Sequence, residues 1–538
     1  MTTATVSSPS PAAPTRSRGT GKAAALVAAG ILASRLLGVV RQSLMARYLG
    51  ATTGIAADAF MAAFKIPNLL QNLFGEGALS ASFIPIYSNL LARDERDEAG
   101  RVAGAVAAIL ALVTSVLVLV GVLLAPYLIP VIAPGFTGPK RDLTIALTRV
   151  LFPGAGLFVL SAWSMGVLNS HRRFFLSYAS GVMWNVAMIV ALLTFGARQD
   201  RVTLAVTLGW ASVAGAGLQF LVQLPTVLRL IPDLRPSLDY TRANVRRVLA
   251  NFTPIFFSRG IVQVSAYVDQ LLASLLPQGM VALLGYALTI YTLPVSLFGM
   301  AISAAELPEM SSILGEESEV AAMLRARLNA GLRRIAFFVI PSAAAFLTLG
   351  DVIARALFQS GRFTETDTIF TWGILAGSAV GLLASTLGRL YSSTYYALHD
   401  TRTPLRFAIV RVALTTALGY LFAIPLPGML GIDQRWGAAG LTASAGIAGW
   451  IEFLLLRSRL NRRIGTTGLS RQYVALLWLS AIVSAGAAFL IRRQLAPTHR
   501  FVFAVAVLGA FSVVYAALTI ALRIPEARAL VARVMPRQ

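Results

Sequence analysis

A guanidinium presents a planar fork of N–H donors that matches phosphate or carboxylate oxygens two at a time. Arginines placed where an apolar helix has no use for charge therefore point to anion chemistry. The segment SRLLGVVRQSLMARYLG, Ser34 to Gly50, holds Arg35, Arg41 and Arg47 in a run that continues the apolar GKAAALVAAGILA. Lys65, Arg149, Arg259, Arg355, Arg389 and Arg411 also fall within hydrophobic stretches. Arg47, Arg149, Arg355, Arg389 and Arg411 lie near stretch ends, where a long side chain carries its charge out to the headgroups. Arg35 does not: a helix starting at Lys22 puts it roughly 20 Å into a hydrocarbon layer about 30 Å thick. At that depth a charge costs about 2.5–3.5 kcal/mol or more unless it faces a watery cavity or an anion.

The elements that must position these groups are membrane helices. The chain has 538 residues, 57% hydrophobic and 13% charged, with a mean hydropathy of +0.72. The fold class expected is an all-α polytopic membrane protein of about fourteen spans, each of about 20 residues. Residues 1–21 read as a disordered cytoplasmic tail, because no small-residue cleavage site follows a compact apolar core. With that end inside, the even-numbered connections hold roughly 28 basic residues and the others about 9, the asymmetry of the positive-inside rule. Most of the formal charge of +23 is thereby explained by topology. Both termini are expected in the cytoplasm, with an anionic inner leaflet rather than nucleic acid as the partner of the loops. The chain has no cysteine, which excludes disulfides, thiolate metal sites and cysteine nucleophiles. No histidine pair has ligand spacing, so no metal is expected.

An internal repeat divides the spans. ALSASFIP (Ala78 to Pro85) recurs as AISAAELP (Ala301 to Pro308), each soon after LFG; LNSHRRF at Leu168 corresponds to LHDTRTP at Leu398, and GFT at Gly135 to GRFT at Gly361. Two parallel six-helix lobes are expected, residues 22–238 and 239–465, related by an axis along the membrane normal. Residues 466–538 then supply two more helices and a cytoplasmic tail. The same offset carries SRLLG at Ser34 onto SRGIV at Ser258, so Arg35 and Arg259 are expected at nearly one depth on opposite walls of a central cavity.

The blocks SRLLGVVRQSLMARYLG, ADAFMAAFKIPNLLQNLFGEGALSASFIPIYSNLL, GVLNSHRRF, LPVSLFGMAIS and YYALHDTRTP resemble the MurJ (MviN) family of lipid II flippases, within the MATE/polysaccharide-exporter superfamily. The resemblance covers essentially the whole chain after residue 20. It implies a cationic central cavity for a diphosphate-sugar headgroup, a groove by the last two helices for a polyprenyl tail, residence in the bacterial inner membrane and a non-enzymatic, monomeric transporter of lipid II or a related polyprenyl-diphosphate glycan. Arg35 and Arg41 match arginines on which that family depends, Asp58 its Asp-Ala-Phe, and Asn68 and Glu76 its Pro-Asn-Leu-Leu and Glu-Gly positions. The substrate-binding set expected is Arg35, Arg41, Arg259, Lys65, Asn68, Glu76 and Asp58. The chain departs from the pattern at Gln42, usually acidic, at Gln71 and Asn72, where arginine is common, and at Leu288 and Thr289, where Tyr-Ala-Asp-Arg reads YALT.

Other readings attach to individual residues. Asp58 follows a turn at a helix start, where a carboxylate is ordinary capping. Glu76 is expected to pair with Arg35, Arg41 or Lys65, since an unpaired buried carboxylate is costly. Asp269 either polarises the second lobe or caps a helix end. No catalytic residue and no cofactor are expected, and coupling to the membrane potential or to a monovalent ion stays open. An enzyme on lipid-linked sugars would need a carboxylate or histidine cluster on a sizeable loop, and no connection is long enough. An exporter of another lipid-linked oligosaccharide, or an ion-coupled drug exporter of the same superfamily, is the alternative; the drug exporter would prefer cavity carboxylates.

Overall fold

A hydrocarbon environment offers no partner to a free N–H or C=O, so each apolar stretch closes its backbone bonds within itself as a helix. The computed structural model describes residues 18–313, 315–495 and 499–534. In chain order the helices are α1 (Arg18–Leu49), α2 (Ala56–Phe74), α3 (Glu76–Ser82), α4 (Ile84–Ala92), α5 (Arg96–Ile132), α6 (Gly138–Ser170), α7 (Phe174–Ala179), α8 (Gly181–Phe195), α9 (Arg201–Leu230) and α10 (Ala243–Ser274). There follow α11 (Met280–Pro294), α12 (Ala301–Ser311), α13 (Glu317–Phe358), α14 (Glu365–Ala397), α15 (Arg402–Ala423), α16 (Pro425–Met429), α17 (Gly437–Ile464), α18 (Arg471–Gln494), α19 (Arg500–Ala521) and α20 (Pro525–Val534). Eleven helical stretches among the described residues are long and apolar enough to cross a bilayer. Three more long stretches, α1, α2 to α4, and α10, bring the total to fourteen. These three carry Arg35, Arg41, Lys65 and Arg259.

The repeat is visible in where helices break. The first LFG ends at Gly75, which separates α2 from α3 with an extended ψ of −155°. A Cβ there would meet the Gln71 carbonyl oxygen at 2.1 Å. The second LFG ends at Gly299, inside a six-residue π-helical turn, Val295–Met300, that joins α11 to α12. Both repeat-related spans are therefore irregular at the same point, as in discontinuous transporter helices.

Most buried apolar side chains, from α2, α6, α11, α13 and α14 among others, form one cluster. A second, smaller cluster joins α3 to α6 with the start of α10 through Val245 and Val248. Helix α10 thus touches both groups of helices. Its first half meets α2 through Phe74, Phe252 and Phe256, with ring centroids 5.1 and 5.6 Å from Phe74, while its second half packs on α15 and α17.

Candidate functional site

Helix α1 has two unlike halves. Toward its start it packs on α7 and α8, and Leu32, Leu36 and Val40 are exposed. From Gln42 onward it bonds across to the later helices: Gln42 Nε2 donates to Thr289 Oγ1 at 3.4 Å, and Ser43 Oγ to the Leu357 carbonyl. The loop after α1 continues this contact. Arg362 N–H donates to the Arg47 carbonyl at 2.8 Å, Tyr286 OH to that of Gly50 at 3.3 Å, and Gln278 Nε2 to that of Thr52 at 3.1 Å. Thr52 donates its N–H and hydroxyl to Asp367 Oδ1 at 3.0 and 2.6 Å. The two groups of helices are therefore latched at the end of α1, whereas among the described residues no hydrogen bond joins the part of α1 before Gln42 to the later helices.

Asp58 is the centre of the latch. Its side chain is fully buried, against 13% exposure for that of its partner Lys140, whose Nζ lies 2.5 Å away. Both carboxylate oxygens also accept backbone N–H groups at the N-terminus of α11, from Gly279 at 2.8 Å and Ala282 at 2.8 Å. The residue does cap a helix, but one 221 positions downstream. Gly279 adopts φ +95°, and a Cβ there would meet Thr52 Cα at 2.7 Å, so the close approach requires glycine. Three of the roughly four acceptor positions of Asp58 are directed into the latch, and its complete burial removes it from any cavity surface. Lys140 was not legible as its partner, since the two are 82 residues apart.

Arg35 and Arg41 on α1, and Lys65 and Asn68 on α2, lie set back from the latch along their helices. Arg35 is half-buried and makes no ion pair or hydrogen bond with any described residue. Arg41 places its guanidinium 4.3 Å from the Trp184 ring centroid, with Nε buried and without a partner. Trp184 is fixed by its own N–H, which donates to Ser212 Oγ at 3.0 Å, and by stacking on Phe64 at 5.6 Å. Lys65 follows Phe64 in α2. Lys65 is half-buried, and among the described residues it makes no ion pair. The carboxylate acting most on it is Asp269 of α10, and its carbonyl accepts from Tyr267 OH at 2.9 Å. Asn68 is half-buried. The Glu76 and Arg259 side chains lie outside the described residues. The backbone places Arg259 near the middle of α10, and Arg35 holds the corresponding place in α1; both helices have 32 residues.

Gln42 and Thr289, two of the departures from the resembled pattern, face each other across the lobes at 3.4 Å. An acidic residue and an arginine at these positions would make a cross-lobe ion pair; here a neutral hydrogen bond occupies the same place. The two losses of charge compensate each other.

The later helices enclose a cavity of about 200 Å³ lined by Asp269, Tyr291, Ser385, Arg411 and Thr415 among others. Asp269 lines this interior, with Oδ1 buried and without a hydrogen-bond partner among the described residues. Arg411 does not run out to the headgroups: it sits about 13 Å along α15 and pairs with Glu452 at 3.2 Å. Arg355 does lie at a helix end, paired with Glu365 at 3.0 Å.

Comparisons with known proteins agree with this arrangement. A family profile described as "Lipid II flippase MurJ" matches residues 45–511. A probable lipid II flippase MurJ of Rhizobium tropici is 32% identical over 86% of this chain and 85% of its own. The lipid II flippase MurJ of Burkholderia cenocepacia is 32% identical over 80% of this chain and 82% of its own. Among solved structures, one titled "Lipid II flippase MurJ, inward closed conformation" superposes with a TM-score of 0.75 at 24% identity, covering 93% of this chain and 99% of its own. An inward-facing MATE-family multidrug transporter of the MOP superfamily follows at a TM-score of 0.62 and 15% identity, covering 83% of this chain and 100% of its own. At these identities the two structures bear on the fold alone.

Proposed function

The chain belongs to the lipid II flippase MurJ family, and from that premise we propose that it moves lipid II from the inner to the outer leaflet by alternating access. The observation that carries the proposal is the trio Arg35, Arg41 and Lys65, cations without an ion-pair partner among the described residues, toward the end of α1 and α2 away from the latch. Basic loops cluster at that same end of the helices, which supports reading it as the cytoplasmic end. Both chain ends then lie inside and the latch faces out.

The chemistry follows from charge. Cations held close with no counter-ion repel one another, so an empty cavity resists closing on the inner side. A diphosphate headgroup supplies the missing negative charge, Arg35 and Arg41 taking its oxygens in bidentate fashion and Lys65 acting as a point charge. Arg259, at the matching position of α10, is the cation we assign to the second lobe. Bound headgroup thus favours the inward-closed state, and only a ligand with such differential affinity shifts the equilibrium. Once the outer latch opens, an inside-negative potential assists export of the anionic headgroup by about 2.3 kcal/mol per charge per 100 mV. The test is translocation of lipid II in proteoliposomes under an imposed potential, with an organic cation as the competing substrate. Lipid II movement that is lost in Arg35→Ala supports the proposal; failure to move lipid II while another lipid-linked glycan or the cation is moved overturns it.

A further inference from the structure

A cavity of about 630 Å³ opens on the end of the molecule that carries the basic loops, where the ends of α4, α6 and α9 meet the start of α5. Its lining includes Tyr87, Arg96, His171, Arg172, Arg229 and Asp233. It lies apart from the central space between the lobes, and nothing in the transport reading uses it.

Three arginines converge on this hollow. Arg96 is engaged by Asp94 at 2.8 Å, but Arg172 and Arg229 make no ion pair with any described residue. Elsewhere on the same face some basic side chains have carboxylates of their own, Arg242 with Glu98 and Asp239, Arg327 with Glu306 and Glu309, Arg463 with Asp400, and unpaired ones such as Arg402 and Arg406 do not line this cavity. Loop arginines that serve only topology have no reason to share a concave site, where their mutual repulsion is unfavourable.

The walls are firmly built. The loop after α9 sits directly on the backbone of α5: a Cβ on Gly104 would lie 2.3 Å from the Arg235 carbonyl oxygen, and one on Gly100 3.0 Å from that of Asp233. On the other side Tyr87 OH and His171 Nε2 are 3.0 Å apart. Burial, with Arg96 and Arg173 nearby, lowers the His171 pKa from its usual range and keeps the ring neutral. In the tautomer that accepts the tyrosine proton at Nε2, Nδ1–H is left as a donor.

We propose that this cavity is a second anion site, taking a phosphate ester between Arg172 and Arg229 with Arg96 as the third cation. The volume exceeds that of a bare phosphate and admits the attached alcohol, and the level at the helix ends is that of the inner-leaflet headgroups. An acidic phospholipid headgroup and a free phosphate share this chemistry.

Native mass spectrometry of the full-length protein tests the site, with phosphatidylglycerol against phosphatidylcholine of the same acyl chains and inorganic phosphate as competitor. The wild type should retain phosphatidylglycerol about tenfold over phosphatidylcholine, and Arg172→Gln/Arg229→Gln should bring that ratio to within about twofold, as expected for loss of charge-assisted bonds. Retention that millimolar phosphate does not reverse identifies the lipid as the source. Binding of inorganic phosphate to delipidated protein, lost in the same double variant, identifies the free anion. Arg402→Gln/Arg406→Gln, on the same face outside the cavity, must leave either binding intact, and unchanged melting temperatures exclude unfolding. The proposal falls if the wild type prefers neither ligand, if the Arg172/Arg229 variant keeps the preference, or if the control loses it equally.

Discussion

Replacing Asp58 by asparagine removes one negative charge and little volume, and its effect follows from the contacts. In the latched state the carboxylate faces the Lys140 ammonium at 2.5 Å and two backbone N–H groups at 2.8 Å, with its own side chain fully buried. Asparagine offers a single acceptor oxygen, and its NH₂ must face a donor. Stranding one partner of a buried ion pair costs about 3–5 kcal/mol, and loss of the anion at the α11 N-terminus adds about 0.3–1 kcal/mol. These costs fall on the latched state alone, because water solvates the same groups once the end is open. The latch equilibrium should therefore shift by about a hundredfold or more toward the open form, at 1.4 kcal/mol per decade. The chain has no native cysteine, so a Thr52→Cys/Gln278→Cys pair, where Gln278 meets Thr52, reports the latch by oxidative cross-linking. The expected result is a large fall in cross-linking rate in Asp58→Asn, partly restored by adding Lys140→Met, which relieves the stranded ammonium. Equal cross-linking with and without the substitution would refute the latch.

Three further outcomes are expected. Trp184→Leu should raise the lipid II concentration needed for half-maximal transport by about two- to thirtyfold, the equivalent of the 0.5–2 kcal/mol of a cation–π contact, with Trp184→Phe falling between; identical titrations would show that Arg41 does not depend on the indole. Arg259→Ala should abolish transport in protein that still inserts and Arg259→Lys should retain part of it, since lysine keeps the charge and loses the fork; full transport by the alanine variant would leave the first wall alone to hold the headgroup. His171, with its pKa below the ordinary 6.5 because of burial, Arg96 and Arg173, is neutral in the fold, so its contribution to stability is present above pH 6.5 and is lost as pH falls through its folded value; melting temperatures between pH 8 and 5 should show a smaller acid-side drop in His171→Gln than in the wild type.

Hydropathy made the span count legible because membrane helices must satisfy their backbone locally, so each segment announces itself without reference to the others. Arg35 and Arg41 were legible for a related reason: a charge deep in an apolar helix is anomalous on its own terms. Partnerships across the fold were not. Asp58 near a helix start reads as a cap of its own helix, and only the packing of α11 against it redirects the carboxylate. Arg411 reads as a residue near a span end until Glu452, on another helix, draws it inward. Trp184 lies 143 positions after Arg41, and no local pattern ties an indole to a guanidinium. Gln42 and Thr289 each read as a loss of charge; their contact turns two losses into one conservative exchange.

The character of the latch bears on how the cycle runs. Its contacts are polar, and such bonds differ little in free energy between closed and hydrated states, each contributing about 0.5–1.5 kcal/mol net. An apolar seal of the same area would hold one state far more firmly, at about 25 cal/mol per Å². A polar outer latch therefore keeps the inward-open and outward-open states close in energy, within reach of a headgroup that neutralises the cavity cations. The rearrangement has places in the helices to go: the break at Gly75 and the π-turn at Val295–Met300 lie at repeat-related positions, between the latch and the inner end. Bending there moves the inner halves of α2 to α4 and of α11 to α12 together while the segments nearer the latch stay packed. The substrate then need only change the balance of charge between the walls, and the irregular helices convert that change into closure of the inner side before the outer side is released.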